Sequence, residues 1–207
     1  MTTTLGIIEG FYGPLWAWEE RRQLVRILAP HGYGFYLYAP KADAFLRRRW
    51  REPHPAAEAA ELASFARFCR DQGVRFSVGL SPYQVFNRFD QDAREALRTK
   101  LALLERIGLD ELAILFDDMP AQTPDLATVQ ADILRWVRDH CAVPTLSVCP
   151  SYYSDDPVLD RVFGPRPSDY LVSLGRRLAP DIQVFWTGEE VCAREISPGH
   201  LKRVADE

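Results

Sequence analysis

The stretch ILFDDMP, residues 114–120, runs from apolar residues straight into two adjacent acids, Asp117 and Asp118, and then into a proline. Successive residues of a strand face opposite sides, but where the chain turns at a strand end both carboxyl groups can address one pocket. Two acids in one desolvated mouth do not titrate independently. Repulsion and burial push one proton affinity up and leave the other group ionised, which sets a proton donor beside a fixed anion. A lone pair of this kind more often caps the next helix or meets an arginine, so its meaning depends on what gathers around it.

Other segments supply that company. Lys41 in YAPKAD follows an extended X-Pro step and offers a mobile ammonium donor, though such a lysine by itself is more often a solvated surface residue. EGFYG sets two glycines among aromatics, which lets backbone groups approach a ligand closely. Tyr152, Tyr153 and Trp186 provide flat faces with hydroxyl or indole donors, the equipment a sugar site requires. No H-x-H or H-E-x-x-H pattern and no further acid cluster accompanies the aspartates. A metal-dependent hydrolase is therefore disfavoured, and neither a metal nor a cofactor is expected.

The elements that must position these residues repeat one unit: a short apolar strand, a polar or aromatic loop, then an amphipathic helix. Strands are predicted over residues 5–11, 34–40, 74–80, 112–117, 145–150 and 182–188, at the roughly 30- to 40-residue spacing of a βα unit. Helices are predicted in EERRQLVRILAPHG, with Leu24, Ile27 and Leu28 on the inner face, and in PAAEAAELASFARFCRDQG and DAREALRTKLALLERIG, each closing at a glycine. LATVQADILRWVRDH gives a fourth and SDYLVSLGRRLAP a weaker fifth.

Strands that are nearly continuous apolar runs alternating with helices indicate a parallel sheet. EGFYG, APK, SP, FDD, CPSYY and WTG all fall at C-terminal strand ends, which a (β/α)8 TIM-barrel type of fold collects around one mouth and a doubly wound sheet does not. Residues 1–207 read as a single barrel domain with about six βα units visible. Closing the common barrel takes eight, so the domain is expected to be incomplete at its C-terminus, with its first and sixth strands as open edges. Those edges invite either a further C-terminal segment or self-association.

Composition excludes several classes. With 47% hydrophobic residues the 207-residue chain can bury a substantial core, and a formal charge of −4 gives no footprint for nucleic acid or an anionic membrane. Runs such as Arg47-Arg48-Arg49 are matched by acids elsewhere. Cys69, Cys141, Cys149 and Cys192 are scattered without a zinc or disulfide spacing. The N-terminus lacks signal-peptide character, and no run approaches about 18 apolar residues, so a soluble cytoplasmic protein is expected.

Six ordered motifs, GIIEGFYGPLW, YLYAPKAD, WRE, LFDDM, CPSYY and FWTG, resemble glycoside hydrolase family 84, the O-GlcNAcases and hyaluronidase-like β-N-acetylglucosaminidases, from about residue 5 onward. The resemblance implies a (β/α)8 barrel and retaining hydrolysis in which the substrate's own 2-acetamido group attacks the anomeric carbon to form an oxazoline. It implies that Asp117 polarises the acetamide N–H and that Asp118 protonates the leaving oxygen and later activates water. It further implies that Gly10 and Lys41 meet sugar hydroxyls, that Tyr153 bonds the reacting acetamide, and that Cys149 and Thr187 line the acetamide pocket. The implied partner is a GlcNAc-containing glycoside or glycoprotein.

Some positions depart from the family pattern. Ala42 stands where an acid is usual, the proline of FYGPLW is shifted, Tyr152 replaces a frequent Glu, and the later W-D-N and N-D segments that grip the far sugar hydroxyls are absent. A catalytically weak or inactive carbohydrate-binding fragment is therefore the alternative function.

Overall fold

The computed structural model describes residues 4–120, 123 and 125–206. Six parallel strands pair strictly in chain order: β1 (Leu5–Glu9), β2 (Tyr33–Tyr38), β3 (Arg75–Leu80), β4 (Glu111–Leu115), β5 (Thr145–Cys149) and β6 (Gln183–Val184). Helices cross between them: α1 (Trp18–Leu28), α2 (Ala56–Asp71), α3 (Gln91–Glu105), α4 (Leu126–His140), α5 (Pro157–Phe163) and α6 (Tyr170–Arg177), with α7 (Pro198–Ala205) after β6. The sheet curls into a partial TIM barrel. Among the described residues β1 pairs only with β2, and β6 only with β5.

Strand alternation divides the core. Tyr36, Tyr38, Phe76, Val78, Ile114 and Val148 point outward, into one large cluster with helix residues such as Phe65, Leu101 and Leu134. Leu37, Ala39, Ala113 and Leu115 point inward, into a small cluster with Phe35, Cys149 and Phe185. The concave side is tight: a Cβ on Gly79 would come within 2.6 Å of Ala39 Cβ and 2.7 Å of Leu115 Cδ1.

The exposed edges carry apolar side chains. Leu5 and Ile8 of β1 are 49% and 50% exposed, and Val184 of β6 is 46% exposed. An apolar cavity of about 360 Å³ opens between α6, β6 and α7, with Leu174, Leu178, Trp186 and Leu201 among its walls. It lies at the β6 edge.

Several boundaries differ from the sequence reading. On α1 the buried positions are Arg21 and Val25, while Ile27 is 54% exposed, so the inner face lies to one side of the one expected. Its interior polar member is satisfied: Arg21 meets both carboxylate oxygens of Glu9, at 2.6 and 2.8 Å, and Tyr36 donates to the same carboxylate at 2.6 Å. Strand β6 is only two residues long, Gln183 and Val184, where residues 182–188 are expected. The short α5 was not foreseen; Asp156 caps it by accepting from Val158 N, and Pro157 begins it. Among the described residues no helix is long and apolar enough to cross a membrane.

Candidate active site

Strand β4 ends at Leu115, two residues short of the acids, and the chain is steered on by local bonds: Phe116 N donates to Cys149 O at 2.8 Å and Ser151 Oγ to Phe116 O at 3.0 Å. Asp118 then takes a left-handed backbone conformation, φ 56°. That reversal cancels the strand alternation, and both side chains converge on one ammonium. Lys41 Nζ lies 2.5 Å from Asp117 Oδ2 and 3.0 Å from Asp118 Oδ2.

Lys41 is held there by its own loop. Ala39 N donates to Glu9 O and Lys41 N to Phe11 O, so β1 and β2 go on pairing past their ends and bring EGFYG alongside YAPK. The lysine is not the mobile surface donor its sequence context suggests; its side chain is 5% exposed. Asp43, two residues on, caps the following 3-10 turn by accepting from Phe45 N and Leu46 N, and it also meets Tyr38 and His54. Asp43 is thus a structural acid, and Ala42 beside it adds no carboxylate to this loop.

Burial pushes the Asp117 carboxyl above the usual carboxylate range; the Lys41 charge opposes this and the Asp118 charge adds to it. Burial pulls the Lys41 ammonium the other way, but the charges of Asp117 and then Asp118 outweigh it and its proton is held more tightly than usual. The upward pull thus falls on Asp117. Asp117 Oδ1 is buried and has no hydrogen-bond partner among the described residues. A buried carboxylate oxygen without a donor is costly, and this one marks where a ligand N–H or O–H would bind.

The remaining expected residues divide. Tyr153 stands near both acids: burial raises its phenol, and the charges of Asp118 and then Asp117 raise it further. Burial likewise drives the Cys149 thiol well up, with Asp117 next. Thr187 N donates to Tyr153 O at 3.0 Å, and its hydroxyl turns to Glu190 O at 3.1 Å and Tyr153 O at 3.4 Å. The threonine therefore holds the tyrosine's backbone rather than offering a free hydroxyl. Gly10 lies in the β1 loop, where a Cβ would meet only Ile8 Cγ2, at 3.4 Å.

Two aromatics leave the site. Tyr152 is fully buried on the far side, donating to Gly164 O at 2.7 Å and packing on Tyr170. Trp186 donates its indole N–H to His200 Nε2 at 2.7 Å. Two residues join that the sequence reading did not single out. Tyr12 donates to Asp118 Oδ2 at 3.3 Å, and Arg47 donates to Asp118 O at 2.8 Å. Tyr12 could have been taken from EGFYG; nothing in the Arg47-Arg48-Arg49 run shows which arginine turns inward. Among the described residues no cluster of three or more His, Cys, Asp or Glu could hold a metal ion.

Residues 5–207 match the family described as beta-N-acetylglucosaminidase. Proteins named Protein O-GlcNAcase from Mus musculus and Rattus norvegicus are each 30% identical to 97% of this chain, which spans 22% of their length. A solved O-GlcNAc hydrolase mutant from Thermobaculum terrenum superposes with a TM-score of 0.84 at 29% identity, over 98% of this chain and 45% of that one.

Proposed function

This chain belongs to the β-N-acetylglucosaminidase family, glycoside hydrolase family 84, and from that membership we propose that it acts on GlcNAc glycosides or GlcNAc-bearing proteins by a retaining, substrate-assisted reaction. One observation carries the reading. The Lys41-bridged acids leave Asp117 Oδ1 buried and without a partner among the described residues, a strong acceptor beside a second, more open carboxylate.

In the first step the acetamide carbonyl oxygen bonds to the anomeric carbon while the glycosidic C–O bond breaks. Asp117 accepts the acetamide N–H, and its raised proton affinity makes it a better base towards that group. Asp118, whose side chain is 21% exposed against 14% for Asp117, reaches the leaving oxygen and gives it a proton. Water then enters at the anomeric carbon, returns a proton to Asp118, and the oxazoline opens with retained configuration. An ammonium has three donors, and two are taken by the aspartates, so Lys41 keeps one for a sugar hydroxyl. Tyr153 and Cys149 fit the wall of the acetamide pocket, with Thr187 behind Tyr153, and Gly10 offers main chain to a hydroxyl.

Hydrolysis of 4-nitrophenyl N-acetyl-β-glucosaminide tests the proposal, with the product anomer read by NMR. The expected result is a β-anomer released first, and a loss of at least about a hundredfold in kcat for Asp117→Asn and for Asp118→Asn. Activity unchanged in both variants would remove the assigned roles.

A second reading draws on the open edges of β1 and β6 and on the 45% span of the solved relative. It is a catalytically weak or inactive sugar-binding half-barrel, seen as saturation transfer to GlcNAc with little or no product. We further propose that two more βα units complete the barrel at these edges. A monomer–dimer equilibrium in sedimentation would point instead to a second copy as the cover.

A further inference from the structure

Arg47 is 7% exposed, yet its polar partners among the described residues are neutral: the Asp118 carbonyl at 2.8 Å and the Tyr12 hydroxyl at 3.5 Å. Its guanidinium lies 5.3 Å from the Tyr83 ring centre and 5.9 Å from that of Tyr12, and its Nε is buried without a partner. A buried cation usually meets a carboxylate. This one turns a single nitrogen, Nη2, to the main chain of the residue with a left-handed backbone, a conformation that a non-glycine residue holds only when its surroundings over-determine it.

We propose that Arg47 is a positioning residue: by gripping the Asp118 carbonyl and the Tyr12 hydroxyl, it locks Asp118 in its left-handed conformation and aims that carboxyl at the leaving group. The catalytic half of this inference rests on the hydrolase reading above. The conformational half does not. Lys41 and Arg47 stand at opposite ends of one loop whose turn is capped by Asp43, so the same loop sets the carboxylates from one side and the backbone from the other. Tyr12 closes the ring of contacts by donating to Asp118 Oδ2 at 3.3 Å.

The test compares wild type, Arg47→Met, Arg47→Lys and, as control, the exposed neighbour Arg48→Met, each first shown to be folded by its melting transition. The one-bond Cα–Hα coupling of Asp118 separates positive from negative φ. In wild type and Arg48→Met it should report positive φ, and in Arg47→Met it should leave that range. With Arg47→Lys, which has charge but no fork, it should fall between. In parallel, kcat/KM of Arg47→Met should fall at least tenfold further on an alkyl glycoside, which needs a proton donor, than on a dinitrophenyl glycoside, which does not. A merely structural loss would lower both alike. An unchanged Asp118 coupling in Arg47→Met overturns the proposal whatever the activity, and equal losses on both substrates overturn its catalytic half. Failure of wild type to cleave either glycoside removes the hydrolase reading instead, leaving the coupling to decide Arg47.

Discussion

Lys41 Nζ lies 2.5 Å from Asp117 Oδ2, although 76 residues separate them in the chain. One buried ammonium thus bridges two carboxylates that would otherwise repel, reaching them from the β2 end while they stand at the β4 end of the barrel mouth. Lys41→Met should lower stability at pH 7 by about 3 kcal/mol, the cost of leaving a buried charge unpaired. The deficit should shrink on acidification, starting above the ordinary carboxylate range, because Asp117 takes up its proton early. At the alkaline end the sign is set by Lys41 itself. Its folded pKa is raised, so its contribution is complete below the ordinary value of 10.5 and is lost only as pH climbs through the higher folded value. Urea denaturation of both proteins from about pH 4 to about pH 12 checks both arms, and a deficit that does not vary with pH would refute the prediction.

Lys100 of α3 is 1% exposed, and its one hydrogen-bond partner among the described residues is a carbonyl, Glu52 O, at 2.6 Å. Burial lowers its pKa from the ordinary 10.5 to about 8. Between those values the unfolded chain keeps a proton that the folded chain has released, so the lysine's contribution to stability rises with pH across that window. Relative to wild type, Lys100→Met should look most favourable at pH 7 and lose on the order of 3 kcal/mol of that advantage by pH 10.5. Paired melts at several pH values measure the difference directly; a flat difference would show that the amine is not titrating from a buried state.

The Glu9–Arg21 pair ties the end of β1 to the first turn of α1, with Tyr36 as third member. Arg21→Met should cost about 3–5 kcal/mol, because Glu9 stays buried with one donor left. Guanidinium titration would register the loss, and a cost below about 1 kcal/mol would mean that Glu9 finds water instead.

Gly79 faces the concave side, where an added Cβ has no room. Gly79→Ala should destabilise by about 1–3 kcal/mol through overpacking against Ala39 and Leu115. Gly199→Ala in α7 meets nothing within 4 Å and should stabilise by about 0.5–1 kcal/mol through helix propensity. Calorimetry on both variants separates packing from backbone freedom; equal shifts would contradict the tight concave wall.

The alternation of elements and the residues at their C-terminal ends are legible in local pattern. Helix α4 occupies residues 126–140 as its apolar period requires, and Gly73 and Gly108 follow α2 and α3 with φ of 71° and 83°. Period and punctuation are local properties, so they can be read without neighbours. Which side chains meet is settled by packing. Asp117 and Asp118 share one partner because a left-handed residue undoes strand alternation, Tyr152 is drawn into the outer core, and one arginine of three turns beneath the acids. Those outcomes depend on desolvation and on contacts between strands far apart in the chain. A residue's type and spacing do not encode them until the sheet has curled.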